Sequence, residues 1–111
     1  MLVLNRFVVP PVKQDGFVGE AHAALAALAE RPGYVSGRLT RALDDPTHWT
    51  LVTEWESVGA YRRALGGFDV KVRATPLLAR SLEEPSAFET LASAAPGGAI
   101  TVMASDRSLD V

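Results

Sequence analysis

No cysteine occurs in the 111 residues, which removes disulfides, thiolate metal sites and cysteine nucleophiles from consideration. Charge of one sign is also missing. Eleven basic residues against thirteen acidic ones give a net charge of −2, and no basic run interleaved with aromatics would follow a phosphate backbone, so nucleic acid is not an expected partner. Metal-ligand spacing is absent as well: His22 and His48 stand far apart, and Asp44 and Asp45 beside His48 read as a turn, so no bound metal is expected. Long hydrophobic runs do not occur either. The apolar stretch Met1 to Val9 is broken by Asn5 and Arg6, has no basic leader and stops at Pro10-Pro11, which suits neither a signal peptide nor a membrane span. A cytoplasmic, soluble protein is the expectation. No internal repeat or low-complexity tract appears, and the Gly66-Gly67 pair follows a helix rather than a strand, as a stop signal and not a phosphate loop.

What is present is apolar and orderly. Hydrophobic residues form 48% of a chain that is long enough for one core but too short to hide all of that surface, so part of it is expected to face a partner subunit. Leu2 to Val9 is β-rich and apolar at both parities, the pattern of a strand covered on both sides. From Asp15, read as an N-cap, Phe17, Ala21, Leu25 and Leu28 recur at helical spacing until Pro32-Gly33. Tyr34 to Leu43 and His48 to Trp55 flank Asp44-Asp45-Pro46 as the arms of a hairpin. Ser57 then caps a second helix carrying Val58, Tyr61 and Leu65 on one face. The stretch Phe68 to Ser81 divides at Thr75-Pro76, because proline is tolerated at the first helical position.

Glu83-Glu84-Pro85 is a break and Ala87 to Leu91 a closing strand, giving β-α-β-β-α-β. The fold class is therefore α+β, ferredoxin-like, with an antiparallel sheet over residues 1–92. Residues 93–111 read as a linker, Ser93 to Gly98, followed by an extra strand at Ala99 to Ala104, which is expected to add to a sheet edge of this subunit or its partner.

Asn5-Arg6-Phe7, Arg31-Pro32-Gly33-Tyr34, Asp44-Asp45-Pro46, Trp49, Trp55-Glu56-Ser57, Ala60-Tyr61 and Glu84-Pro85-Ser86-Ala87-Phe88 together resemble the antibiotic biosynthesis monooxygenase family. The resemblance implies a homodimeric α+β barrel in which two sheets join and the helices lie outside. It implies two activities: oxidation of aromatic polyketides by dioxygen with no metal or flavin, or degradation of haem. In the haem-degrading branch the active group is an Asn on the first strand, a Trp in the second helix and a His in the following helical segment, and Asn5 stands at the matching Asn position. Ala64 and Ala74 stand where haem-degrading relatives carry Trp and His, which argues against that branch.

Six residues are candidates. Asn5 offers an amide that is costly to bury unpaired and suited to holding a phenolate; its bland alternative is a bond to neighbouring backbone. His22, on the flank of the first helix, has the chemistry of a proton acceptor, or is a boundary residue. Trp55, Tyr61 and Phe68 are candidate walls for a flat ring, and Arg38 a candidate contact for an anionic oxygen. The leading function is a cofactor-independent monooxygenase acting on an apolar aromatic molecule; the alternative is a dimeric binding or structural domain without catalysis.

Overall fold

In the computed structural model the described residues are 1–105. Strand β1, Leu2–Val8, leads through a single 3-10 turn, Pro11–Lys13, into helix α1, Gln14–Ala29. Strands β2, Tyr34–Arg41, and β3, His48–Trp55, form the hairpin. Helices α2, Val58–Leu65, α3, Phe68–Arg73, and α4, Thr75–Leu78, follow, then the two-residue strand β4, Ala87–Phe88. The antiparallel sheet runs β2-β3-β1-β4, the ferredoxin-like order. Helices cover one face of it, with α1 packed on β2 and α3 beside α1.

Local chemistry explains most of the boundaries. Pro11 presets the dihedral that a helical turn needs, so the chain coils before Asp15; Lys13, not Asp15, occupies the cap position, and Asp15 lies in the first turn. The Ser57 hydroxyl accepts from the Ala60 amide at 3.0 Å, as expected of an N-cap. In the hairpin turn, Asp45 Oδ1 accepts from both the Thr47 hydroxyl, 2.7 Å, and the Thr47 amide, 3.1 Å. These bonds hold the Asp45 carboxyl below its ordinary pKa. Gly33, at φ +86°, supplies the left-handed step between α1 and β2. Gly37 is needed for a different reason: a β-carbon there would collide with the Tyr34 hydroxyl and Leu25.

The core lies between sheet and helices. Val3, Phe7, Leu51, Trp49 and Trp55 rise from the sheet to meet Phe17, Ala21, Ala24, Ala27 and Leu28 of α1, Ala60 and Ala64 of α2, and Val70, Ala74 and Leu77. Alanine dominates the helical side. Backbones can therefore approach closely, and the rings of Phe7, Phe17 and Trp49 fill the space at centroid distances of 5.1 and 5.4 Å.

Two expectations need correction. Within one chain β1 is covered on a single side, since Leu2 and Val8 at the opposite parity stay exposed. The C-terminal segment is a hairpin of its own: β5, Ala92–Ala94, pairs with β6, Ile100–Val102, around Gly97 and Gly98, both at positive φ. Ser93 and Ala94 are thus strand rather than linker, because two consecutive glycines after Pro96 reverse the chain and give β6 a nearer partner than the main sheet. The expected closing strand Ala87 to Leu91 shortens to β4. Residues 106–111, the end of the expected extension, lie outside the described residues.

Candidate functional site

Alternation along β1 decides which way Asn5 points. Val3, Asn5 and Phe7 share the helix-covered parity, and their β3 partners Thr53, Leu51 and Trp49 are buried with them. Asn5 is 8% exposed and, among the described residues, its amide has no hydrogen-bond partner. A buried amide without a partner costs about 1–3 kcal/mol, so native proteins keep few of them and mostly where something else supplies the bond. Its polar atoms are not sealed off completely, unlike the indole nitrogen of Trp49, which is closed in without a partner. The other buried polar side chain of the sheet, Thr53, is occupied: Trp55 Nε1 donates to its hydroxyl at 2.8 Å. Among the described residues, Asn5 and the indole nitrogen of Trp49 are the buried hydrogen-bonding side-chain groups of this face without a protein partner.

Along the flanks of α2, α3 and α4 runs an open, largely apolar cavity of about 660 Å³ lined by Tyr61, Leu65, Lys71, Thr75, Leu78 and Ala79. That volume lies within the usual range for small-molecule sites, roughly 300–1,000 Å³. Tyr61 and Leu65 reach it because they stand one turn apart on α2, Lys71 comes from α3, and Thr75, Leu78 and Ala79 come from α4 and the residue after it. Burial raises the Tyr61 phenol above its usual pKa of 10.0, so at neutral pH it is a donor and not a phenolate. Its ring leans on Trp55 at 5.5 Å, and Trp55 in turn meets Tyr34 edge-on at 5.4 Å. An aromatic series therefore runs from β2 through β3 to the cavity wall.

The structure brings together some of the candidate residues and separates others. Tyr61 lines the cavity. Trp55, 1% exposed with its indole nitrogen satisfied, backs Tyr61 and does not itself reach the open space. Asn5 lies under the helical layer and lines neither this cavity nor the other large one. His22 is exposed on α1, because Phe17, Ala21, Ala24 and Leu28 take the inward face. Phe68 opens α3 pointing outward at 79% exposure. Arg38 pairs with Val52 at the opposite parity and lines a shallow groove on the uncovered face of the sheet with Ser36, Thr40 and Glu54. Ala64 and Ala74 are both fully buried and present only methyl groups, so neither can ligate a haem iron.

Lys71, Thr75 and Leu78 are lining residues that sequence reasoning missed. The four-residue spacing of Lys71 and Thr75 and the three-residue spacing of Thr75 and Leu78 were visible, but the helix breaks between Arg73 and Thr75 and resets the face. Among the described residues, no group of three His, Asp or Glu side chains gathers as a metal site, and no helix is long and apolar enough to cross a membrane.

The family model for antibiotic biosynthesis monooxygenases matches residues 1–71. Among solved structures, a point mutant of SnoaB, a cofactor-independent oxygenase from Streptomyces nogalater, superposes with a TM-score of 0.63 at 23% identity, covering 97% of this chain and 94% of that one. A conserved protein from Methanosarcina mazei Go1 gives 0.64 at 20% identity, over 78% of this chain and 84% of its own. Likeness at such identities establishes the fold. Among curated proteins none matches the chain.

Proposed function

The chain belongs to the antibiotic biosynthesis monooxygenase family, and on that premise we propose that it is a cofactor-independent oxygenase of an aromatic, polyketide-type small molecule, acting as a cytoplasmic homodimer. The observation that carries this reading is the amide of Asn5, 8% exposed on the helix-covered face and without a protein hydrogen-bond partner among the described residues. In the reaction an electron-rich phenol or anthrone-like substrate loses a proton, and its carbanion or phenolate donates electrons to dioxygen. One oxygen atom enters the ring as a carbonyl and the other leaves as water, with the substrate supplying all four electrons. Asn5 donates to the developing oxyanion once the helical layer opens to admit the ring, since in this structure it lines neither cavity. Tyr61, held neutral by burial and braced by Trp55, positions the ring. Because His22 is exposed, solvent water takes the proton in this scheme.

The uncovered sheet face supports the homodimer. Leu2 and Val8 are exposed there beside half-buried Leu4 and Val52, a surface that a second copy would hide by a twofold operation. The C-terminal hairpin, whose Ile100 and Val102 are exposed, is an extension of the 1–92 domain available to the partner subunit. Light scattering at micromolar concentration is expected to give twice the 11.8 kDa chain mass.

Oxygen uptake with an anthrone-like substrate tests the chemistry. Asn5→Ala should keep the melting temperature while lowering the rate by roughly a hundredfold, the usual cost of one oxyanion donor. A second reading, a binding domain without turnover, draws support from Asn5 lining neither cavity. It predicts that aromatic ligands bind while oxygen uptake is absent in the parent protein.

A further inference from the structure

Two unlike parts roof the covered face of the sheet. Helix α1 runs for 16 residues and buries Phe17, Ala21, Ala24, Ala27 and Leu28. The stretch from Phe68 to Leu78 consists instead of helices of 6 and 4 residues, which with the joint between them bury only Val70, Ala74 and Leu77. Helices so short do not persist once detached, because nucleation is costly. Their joints are weak as well. Neither helix starts with a side-chain cap, Pro76 has no amide to give the helical ladder, and Gly66-Gly67 precedes them as the least restrained backbone of the layer.

Polar contacts tie the far end of this stretch to α1 and β1. Arg80 Nη2 donates to Glu20 Oε2 at 2.6 Å, and the Leu82 amide donates to the Arg6 carbonyl, next to Asn5, at 2.8 Å. Helix α1 packs on β2 and meets β1 at Phe7 through the Phe17 ring, which leaves the cover over the middle of β1 to Val70, Ala74 and Leu77. The open groove beside Tyr61 and Leu65 has Lys71, Thr75 and Leu78 of the same stretch as its other wall. Between groove and Asn5 stands the most weakly built part of the helical layer.

We propose that Phe68 to Leu78 is a strap that opens by local unfolding, pivoting at Gly66-Gly67 and releasing Arg80 from Glu20, and so joins the groove to Asn5. Both members of that ion pair are about half exposed, and an exposed pair is a latch that releases easily. The opening is a property of the fold alone. Its role, admission of an aromatic ring to the Asn5 amide, rests on the oxygenase reading.

The chain has no cysteine, so an introduced thiol reports its own position. Asn5→Cys and, as a reference under α1, Ala24→Cys are treated with N-ethylmaleimide at urea concentrations below the unfolding transition. The thiol at position 5 should react at least roughly tenfold faster than the one at position 24, and with a shallower urea dependence, since local opening exposes less surface than global unfolding. Glu20→Gln in the Asn5→Cys background should quicken the reaction by about two- to fivefold at low ionic strength, the worth of an exposed pair. Amide exchange in the parent protein makes the same comparison without a substitution. The amides of Ala74, Leu78 and Ala79, bonded to the carbonyls of Val70, Ala74 and Thr75, should exchange ahead of those of α1. Equal rates and urea dependence at the two thiols, or exchange of α1, α3 and α4 together, would overturn the strap, and unchanged labelling in Glu20→Gln would overturn the latch. Local opening without oxygen uptake would retire the oxygenase reading and leave the strap standing; uptake by a protein whose two thiols react only on global unfolding would do the reverse.

Discussion

The two faces of the sheet are built from the same strands and differ only in parity. On the covered face Val3, Asn5, Phe7, Trp49, Leu51, Thr53 and Trp55 are all buried. On the other face Leu2 is 36% and Val8 51% exposed, and the polar residues Arg38, Thr40 and Glu54 stand in solvent. A polar group means something different on each. Arg38 on the open face has water for a partner and needs no further explanation, whereas Asn5 keeps only a residual exposure of 8% and has no protein partner among the described residues. Functional weight therefore moves to the residue whose burial is otherwise unfavourable.

The largest expected effect is on the covered face. Trp55→Ala removes a fully buried indole that meets Tyr34 and Tyr61 and strands the Thr53 hydroxyl, so urea unfolding should show a loss of about 3–5 kcal/mol. A loss below about 1 kcal/mol, the size seen at exposed sites, would mean that the helices do not seal that face.

The open face should respond in association rather than in folding. Val52→Asp puts a charge opposite Leu4 and Arg38 in the middle of the surface that a second copy would hide. Light scattering is expected to fall to the single-chain mass while far-ultraviolet circular dichroism keeps its helical signal. Persistence of twice the chain mass would place the interface elsewhere.

Asn5 allows a finer test, because on the covered face its amide should oppose stability. Asn5→Leu replaces an unpartnered amide by an aliphatic group of similar volume and should stabilise by about 1 kcal/mol in urea unfolding, at the expense of oxygen uptake. Destabilisation would show that the amide is bonded in solution and belongs to the core.

Legibility in the sequence followed the range of the interaction. The Ser57 cap, the Asp45 turn and the βαββαβ order rest on neighbours within a few residues, and each appears where the pattern put it. Period-two alternation was equally local, and it already contained the answer for Trp55. Thr53 sits two residues earlier on the same face and takes the indole proton, so the ring had a partner without any ligand. The outward placement of His22 and Phe68 has a different reason. The inward face of α1 is marked by alanines rather than by large residues, which leaves the helix without a strong apolar stripe, and His22 falls just outside it. Phe68 follows two glycines that turn α3 so that its first residue faces solvent. The pairing of β6 with Ala92–Ala94 was not legible because an Ala-Ser-Ala strand has almost no β signature of its own.

The smallest effect concerns Tyr61, whose phenol stands at the cavity above the covered face. Burial raises its pKa above the usual 10.0, so the native protein holds that proton to higher pH than the unfolded chain does. Below the unfolded value both states keep it and stability is independent of pH on this account. As pH rises past about 10, the unfolded chain ionises first, and the linked stability is lost progressively until the folded pKa is passed. Comparing urea unfolding of the parent and Tyr61→Phe at pH 8 and at pH 11 isolates this residue, because every other titrating group is common to both proteins. The phenylalanine variant should gain relative to the parent only at the alkaline end, by less than about 1 kcal/mol. A difference that stays flat across that range would mean that the Tyr61 hydroxyl is as well hydrated as a side chain on the open face, and the cavity it lines would then be a surface groove rather than a site able to hold the phenol neutral.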